Sequence, residues 1–326
     1  MSDRKLHYAP VMIPTLCRYE HFKACVESLM KCAGADETDV FIGLDYPVKT
    51  SQQEGYERIS EYLEKLKTTH NFKSLNVIKR ERNYGTGGSG NAALLRLEIL
   101  KEYDRIIFTE DDNIFAPSFL EFINKGLEIF QEDQRVQAIC GYRHFYNIKY
   151  GQNNYFRQSV DFSAWGYGTW KNRIERIHEL NPSWFRKRLT LKNFLKVKKY
   201  SGNYRALQFF QLSFTDPQKF VITDNVISVF MCLEGIDVIM PVVSKVKNAG
   251  VDGSGENFKK TSSELIERHN AQKISSDSAF DFYGNPKEFY DYNRMVFKNE
   301  NYSKLSNAGL IKELVLRFIK YFIKKI

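Results

Sequence analysis

Strand and helix patterns alternate along the first third of the chain, and this order limits the possible folds more than any other feature. Short apolar runs that end at polar or turn residues predict β-strands at Tyr8–Ile13, Asp39–Leu44, Leu75–Lys79 and Arg105–Thr109. Longer segments with apolar residues at helical spacing lie between them and predict helices over about 19–33, 52–67 and 90–102. This order indicates an α/β fold with a mostly parallel, doubly wound sheet.

The later elements follow the pattern less regularly. We expect helices over 117–131 and 220–234, strands at Val136–Cys140, Tyr155–Phe162 and Val238–Val242, and a loop leading into a helix over Trp165–His178. From Asn248 to Ser263 the chain is polar and rich in Gly and Ser, which predicts a mobile loop. We therefore divide the chain into a sheet domain at 1–255, an irregular or helical extension at 256–308 and a C-terminal helix at 309–326.

Three consecutive acids, Glu110, Asp111 and Asp112, follow the fourth predicted strand. Open α/β sheets bind ligands at the carboxyl ends of their strands. Adjacent carboxylates repel each other unless a cation or hydrogen bonds offset their charge. The triplet therefore favours a divalent metal site, and a metal beside a sheet crevice suggests a bound phosphate. Capping of the following helix by the acids is the alternative.

Two segments before the triplet are candidates for ligand contacts. Asn83–Asn91 carries four glycines directly before a predicted helix, so its backbone can approach an anion closely. It lacks the Lys-Ser/Thr pair of phosphate-binding loops, and a flexible connector is the alternative. Asp45, at the end of the second strand, can accept hydrogen bonds from a uracil or a ribose, or form a local turn.

Two segments after the triplet are candidates for contacts with a substrate. Trp165-Gly166-Tyr167-Gly168 combines aromatic rings with glycines, which suits a flat contact with a sugar, although the tryptophan can equally be a core residue. Asp224 lies near the start of a predicted helix and could take a proton from an incoming hydroxyl. From spacing alone, a helix N-cap explains Asp224 better.

Taken in order, these segments resemble the nucleotide-diphospho-sugar glycosyltransferases of the A-type fold. The run Val11–Arg18 resembles their first strand and nucleotide-facing loop. Glu110–Phe119 resembles the acidic motif and following helix of the N-acetylglucosaminyltransferase I group, and the chain is also similar to bacterial family 2-like glycosyltransferases. The resemblance covers about residues 8–255 and implies a Rossmann-like catalytic domain at 1–255.

The resemblance also implies roles for individual residues. Asp112 matches the ligand of Mn²⁺ or Mg²⁺, and Asp224 matches the catalytic base. The other matches around the nucleotide-diphosphate sugar are Pro14, Thr15, Arg18, Asp45, Asn83, Gly85, Gly90, Glu110 and Asp111. The matches on the substrate side are Trp165, Gly166, Tyr167 and Gly168. Asn225 is a departure, because that group usually has acids in tandem at the base position.

Charge and cysteine content bear on the cellular location. The formal net charge is +9, and residues 181–215 contribute +8 without one acid, which suits phosphates, an anionic bilayer or nucleic acid. Residues 309–326 repeat apolar and basic side chains at helical spacing, so we expect a helix that lies on a membrane or docks on protein. Five cysteines without metal-ligand spacing, and no visible signal peptide or spanning segment, favour a cytoplasmic protein, peripheral on the inner face of the cell membrane.

These inferences predict a metal-dependent, inverting hexosyl- or N-acetylhexosaminyltransferase. The expected donor is a nucleotide-diphosphate sugar with UDP as the nucleotide, and the expected acceptor is a saccharide, lipid-linked on the way to a bacterial surface polysaccharide or lipopolysaccharide. Nucleic acid is not expected as a partner. One alternative is a nucleotidyltransferase of the same fold, which would need a basic loop where only Arg18 is present. The other is a non-enzymatic basic module that binds a membrane or nucleic acid.

Overall fold

The structure, a computed structural model, describes residues 6–144, 153–252, 271–284 and 305–322, together with Glu267. An eight-stranded sheet forms its centre. Its strands are β1 (Val11–Thr15), β2 (Asp39–Leu44), β3 (Ser74–Lys79), β4 (Arg105–Phe108), β6 (Val136–Cys140), β7 (Tyr155–Gln158), β8 (Tyr167–Trp170) and β9 (Asp237–Pro241). A separate two-stranded sheet pairs β5 (Asn113–Phe115) with β10 (Val246–Asn248).

Helices cover both faces of the large sheet. They are α1 (Tyr19–Met30), α2 (Thr50–Thr69), α3 (Asn91–Ile99), α4 (Phe119–Ile129), α5 (Lys171–His178), α6 (Pro182–Arg188), α7 (Leu191–Phe214), α8 (Asp224–Glu234) and α9 (Asn307–Phe322). Strand alternation explains the two layers: Val11 and Ile13 of β1 pack with α1, α2 and α4, whereas Met12 packs with α3.

The predicted fold class is confirmed: the sheet is mostly parallel and a C-terminal helix follows it. The strand order is β3-β2-β1-β4-β8-β6-β9-β7, and β8 and β7 run against the other six. The antiparallel strand β8 is a difference from the sequence analysis, which expected a loop there. The strand has only four residues, which is short for a periodic signal. It also lacks apolar–polar alternation, because both of its faces lie under helices.

Two element boundaries near the candidate site also differ from expectation. Helix α8 begins at Asp224 instead of Phe220, after a short 3-10 turn at Pro217–Lys219. The chain after the acidic triplet forms β5 before it enters α4. Because β5 pairs with β10, Asn248 lies opposite Asn113 and the residues after β10 reach the triplet.

The C-terminal helix α9 docks on α7 with one face. Leu310 is buried, Tyr321 stacks on Phe214 with ring centres 5.7 Å apart, and Asn203 donates to the carbonyl of Leu305 at 2.7 Å. Docking on protein, one of the two expected arrangements, is therefore present. Among the helices of the described residues, none is both long and apolar enough to cross a membrane.

The extension predicted at 256–308 is described only in part. Residues 271–284 lie against α4, where the rings of Phe280 and Phe282 are 4.8 and 5.3 Å from that of Phe122. Residues 253–263 of the expected polar loop, and 323–326 of the expected helix, lie outside the described residues.

Candidate active site

The predicted site residues lie along one edge of the sheet. The carboxyl ends of the parallel strands meet there, so Asp45 after β2 and the acidic triplet after β4 share this edge. Antiparallel β8 begins there, and its first residue, Tyr167, pairs with Phe108, two residues before the triplet. Helix α8 also starts at this edge, because it leads back to the start of β9.

Asp111 is buried and faces the loop after β1. Its Oδ2 accepts a hydrogen bond from Thr15 Oγ1 at 2.8 Å, and its Oδ1 pairs with the guanidinium of Arg18. Burial raises the pKa of Asp111, and the charge of Arg18 opposes that effect. Thr15 and Arg18 therefore lie in the candidate site through this carboxylate.

Asp112 is held by groups from two distant segments. Its Oδ2 lies 2.8 Å from Nη1 of Arg18, and its Oδ1 accepts from Nδ2 of Asn248 at 2.7 Å. Its backbone carbonyl accepts from the amide of Ala249 at 2.7 Å. A Cβ on Gly250 would lie only 2.1 Å from Asp112 Oδ2, so this position has no room for a side chain.

Glu110 differs from the other two acids in its electrostatic environment. Burial raises its pKa to about 8, with contributions from the charges of Asp112 and Asp224. A carboxyl group in this state is mostly protonated at neutral pH and can donate a hydrogen bond. The alternative that the triplet caps α4 is wrong, because the N-cap residue is Ser118 and no side chain caps that helix.

Asp224 is the first residue of α8, and the N-cap residue is Thr223. The N-cap explanation favoured by its spacing is therefore wrong. Its Oδ2 instead accepts from the amide of Ala164 at 3.1 Å, in the loop before β8. Burial raises the pKa of Asp224 to about 6, with the charge of Asp161 adding to the effect and that of Arg205 opposing it.

Arg205 of α7 lies beside Asp224 and was not predicted there. Its Nη1 donates to the side-chain oxygen of Asn225 and to Oε1 of Gln208, the latter at 3.2 Å. Its Nη2 is 3.8 Å from Asp161 Oδ1, and both residues are buried. The sequence had placed Arg205 in a basic stretch facing phosphates or a bilayer, but the structure buries it beside the candidate base.

Asp45 orders the glycine-rich loop. Its two carboxylate oxygens accept from the amides of Tyr84 at 2.9 Å and Gly85 at 2.8 Å, and Asn83 Nδ2 donates to the carbonyl of Tyr46 at 2.6 Å. Gly85 has φ +62°, a conformation that favours glycine. Asp45 therefore binds the backbone amides of the loop, and its contact with a uracil or a ribose stays a prediction.

Close contacts around the loop explain one further glycine, and strand pairing places Pro14. A Cβ on Gly90 would lie 2.5 Å from the carbonyl oxygen of Gly85, so the start of α3 fits against the loop only without a side chain. Pro14 of β1 pairs in register with Gly43 of β2, which places it within the sheet beside Thr15. Nucleotide contacts by these residues stay predictions.

The segment Trp165–Gly168 divides into two parts. Trp165 packs edge-on against Tyr142, and Gly166 has φ +69° and accepts from the amide of Gly141 at 2.7 Å. Tyr167 is in β8, and burial raises its pKa to about 12. A Cβ on Gly168 would lie 2.4 Å from Ile123 of α4, so packing accounts for this glycine. A substrate contact by Gly168 stays a prediction.

The carboxylate oxygens of the acids are suitable ligands for a divalent metal. In the part of the chain that the structure describes, no three His, Cys, Asp or Glu side chains form a complete metal cage. Magnesium and similar ions often bind through one or two carboxylates and complete their shell with phosphate oxygens. Asp112 and Asp111 supply such hard oxygen ligands at the ligand-binding edge of the sheet, so they suit this open kind of site.

No protein-family model matches the sequence, and no curated protein matches it. A mannosyltransferase from Pyrobaculum calidifontis, PcManGT, solved with GDP-Man and Mn²⁺, is 15% identical and has a TM-score of 0.37 over 52% of this chain and 46% of that chain. S. aureus TarS 1–349 is 12% identical and has a TM-score of 0.40 over 82% of this chain and 67% of its own length. The same fragment solved with UDP-GlcNAc is 18% identical and has a TM-score of 0.30 over 45% of this chain and 38% of that chain. The chain therefore spans less than half the length of the mannosyltransferase. These are distant similarities of fold, and the function is argued from the site itself.

Proposed function

We propose that the protein transfers a sugar from a nucleotide-diphosphate donor to a hydroxyl group of a saccharide. The observation that carries this proposal is that Asp224 and the acidic triplet, from segments more than 100 residues apart, lie at the same edge of the sheet: Asp224 accepts from Ala164 in the loop before β8, and β8 pairs with β4, which leads into the triplet. Neither acid group caps a helix. Carboxylates that repel each other across a crevice are more easily explained by a bound ligand than by stability.

Asp112, with Asp111 beside it, would hold Mn²⁺ or Mg²⁺. When bound, the ion would supply positive charge to the leaving diphosphate. The glycine-rich loop ordered by Asp45 lies at the same edge and suits the diphosphate, because its glycines let the backbone approach a ligand closely. UDP is the nucleotide that we propose, on the basis of the sequence resemblance.

Glu110 and Asp224 suit different steps of the transfer. Glu110, protonated near neutral pH, would donate a hydrogen bond to a hydroxyl of the donor sugar. Asp224, with a pKa of about 6, is ionised at pH 7 yet basic enough to take the proton from an acceptor hydroxyl. Attack on the face opposite the leaving diphosphate would invert the anomeric carbon. Trp165 and Gly166, in the loop whose Ala164 holds Asp224, would contact the sugar or the acceptor.

We also propose that the acceptor is lipid-linked and that α9 holds the protein on the inner face of the cell membrane. Ile311, Val315, Phe318 and Ile319 lie on one face of α9 and are 63, 52, 54 and 44% exposed. Lys312 and Lys320 are exposed on the same helix. An apolar face with lysines beside it matches an anionic bilayer surface. Biosynthesis of a bacterial surface polysaccharide would place such an acceptor there.

Calorimetry with UDP, with and without Mn²⁺, tests the function. We expect UDP binding that strengthens at least tenfold with Mn²⁺, and that loses this dependence in Asp112→Asn. Asp104→Asn is the matched control, because Asp104 is exposed. The proposal fails if no nucleoside diphosphate binds with Mn²⁺ or Mg²⁺ present.

A panel of substrates separates the enzyme alternatives. Metal-dependent hydrolysis of one nucleotide sugar would identify the donor, including a hexosyl or N-acetylhexosaminyl group. Preference for a nucleoside triphosphate with a sugar phosphate would indicate a nucleotidyltransferase instead. Vesicle or nucleic-acid binding without any nucleotide binding would indicate a non-enzymatic basic module.

A further inference from the structure

Arg18 occupies the place between the two buried aspartates of the acidic motif. One guanidinium contacts Asp111 Oδ1 through Nη2 and Asp112 Oδ2 through Nη1, the latter at 2.8 Å. The other oxygen of each carboxylate also has a donor, Thr15 for Asp111 and Asn248 for Asp112. All four carboxylate oxygens are therefore hydrogen-bonded within the protein.

Surrounding residues fix both carboxylates in this arrangement. Asp111 and Asp112 are 7 and 5% exposed. Gly250 packs directly against Asp112 Oδ2, and a Cβ added at this glycine would also lie 3.1 Å from Nη1 of Arg18. A cation that approaches Asp112 Oδ2 therefore meets the guanidinium, which would repel it strongly at contact distance.

Arg18 itself is less confined than its partners. Its side chain is 30% exposed, and it is the N-cap residue of α1, directly after the loop that follows β1. Its planar group can form two parallel hydrogen bonds to a carboxylate or equally well to a phosphate. It can therefore leave the carboxylates for an anion in the crevice without unfolding a buried element.

We propose that Arg18 is a built-in cation of the acidic motif, which competes with the divalent metal for Asp112 and moves to the phosphates when the nucleotide binds. The inference rests on the proposed nucleotide-diphosphate site. It implies that nucleotide and metal bind cooperatively, because each favours the same displacement of Arg18. It also implies that the protein without nucleotide holds metal weakly.

Metal binding without nucleotide tests this competition. Free Mn²⁺ is followed by electron paramagnetic resonance in wild type, Arg18→Ala and Arg18→Gln. We expect both variants to bind Mn²⁺ at least tenfold more tightly than wild type in the absence of nucleotide. We also expect their affinity for UDP at saturating Mn²⁺, measured by calorimetry, to fall at least tenfold. Arg58→Ala is the matched control, because Arg58 pairs with the exposed Glu20 on the surface.

The outcomes separate this inference from the proposed function. Arg18→Gln keeps donor groups without the charge, so it carries the test if Arg18→Ala does not fold. Unchanged or weaker Mn²⁺ binding in the variants overturns the competition, even if wild type binds UDP with Mn²⁺ as proposed. Absence of UDP binding by wild type instead overturns the proposed function.

Discussion

Replacing Asp224 by Asn should abolish sugar transfer while making the folded protein more stable at neutral pH. Burial raises the pKa of Asp224 from 3.8 to about 6. The native carboxyl thus binds its proton more tightly than the unfolded one, so stability falls as pH rises from about 4 to about 6 and stays lowered above that range. At about 1.4 kcal/mol per pH unit, the ionised group lowers stability at pH 7 by up to about 3 kcal/mol.

The expected gain for Asp224→Asn is smaller than that limit. Asp224 is half-buried, and water near the carboxylate screens part of the effect, so we expect about 1–2 kcal/mol at pH 7–8. Asn keeps an oxygen that can accept from the amide of Ala164, so the loop before β8 stays in place. For a chain of 326 residues this corresponds to a rise of about 1.5–3 °C in Tm.

Thermal unfolding of both proteins between pH 4 and pH 8 measures the gain, and calorimetry measures UDP binding. The difference in Tm should be near zero at pH 4 and grow to its full size by about pH 7, with UDP binding nearly unchanged. Asp36→Asn, in an exposed turn, should show no such trend. A Tm difference that does not change with pH, or a variant less stable than wild type at pH 7, would refute the electrostatic origin. Equal loss of transfer and of UDP binding would refute the assignment of Asp224 as the base.

Two further predictions concern the metal side of the site and the C-terminal helix. Gly250→Ala should cost about 1–3 kcal/mol of stability and at least tenfold in Mn²⁺-dependent UDP affinity, because its Cβ would lie 2.1 Å from Asp112 Oδ2. Gly88→Ala, whose Cβ would meet nothing within 4 Å, is the control for stability, and equal stability of the two variants would contradict the clash. The double variant Ile311→Glu, Phe318→Glu should lose most of its flotation with anionic vesicles, whereas Leu191→Glu, at a still more exposed leucine of α7, should retain it. Equal flotation of the two variants, or none by wild type, would exclude α9 as the membrane-binding surface.

The periodicity of the sequence was sufficient for the regular half of the fold. Strands β1–β4 are short apolar runs between longer segments with helical spacing, and β1 and β2 are buried on both faces, so the sequence pattern identified them. Strand β8 could not be identified in this way. Gly168 occupies a position in β8 where α4 leaves no room for a side chain, so the strand shows no hydrophobic signal there.

The carboxylates were recognisable from the sequence, but most of their partners were not. Asp112 and Asn248 are 136 positions apart, and only the pairing of β5 with β10 brings them together. The contacts of the carboxylates with distant donors depend on the order of the strands in the sheets, which local sequence patterns do not encode. Asn248 and Gly250 lie in a segment that resembled the family, yet nothing in that segment indicates which carboxylate they contact.

Arg205 shows why a basic stretch should not be treated as one surface. The other seven basic residues between 181 and 215 precede it in sequence, yet Arg205 is buried and contacts Asn225 beside the candidate base. An aspartate at 225 would pair with Arg205 and neutralise much of its charge. Because Asn225 is uncharged, the charge of Arg205 remains available to Asp224, whose pKa it lowers against the effect of burial. The single acid at this position, which departs from the tandem acids of the group that the sequence resembles, is therefore consistent with one carboxylate that stays ionised at neutral pH.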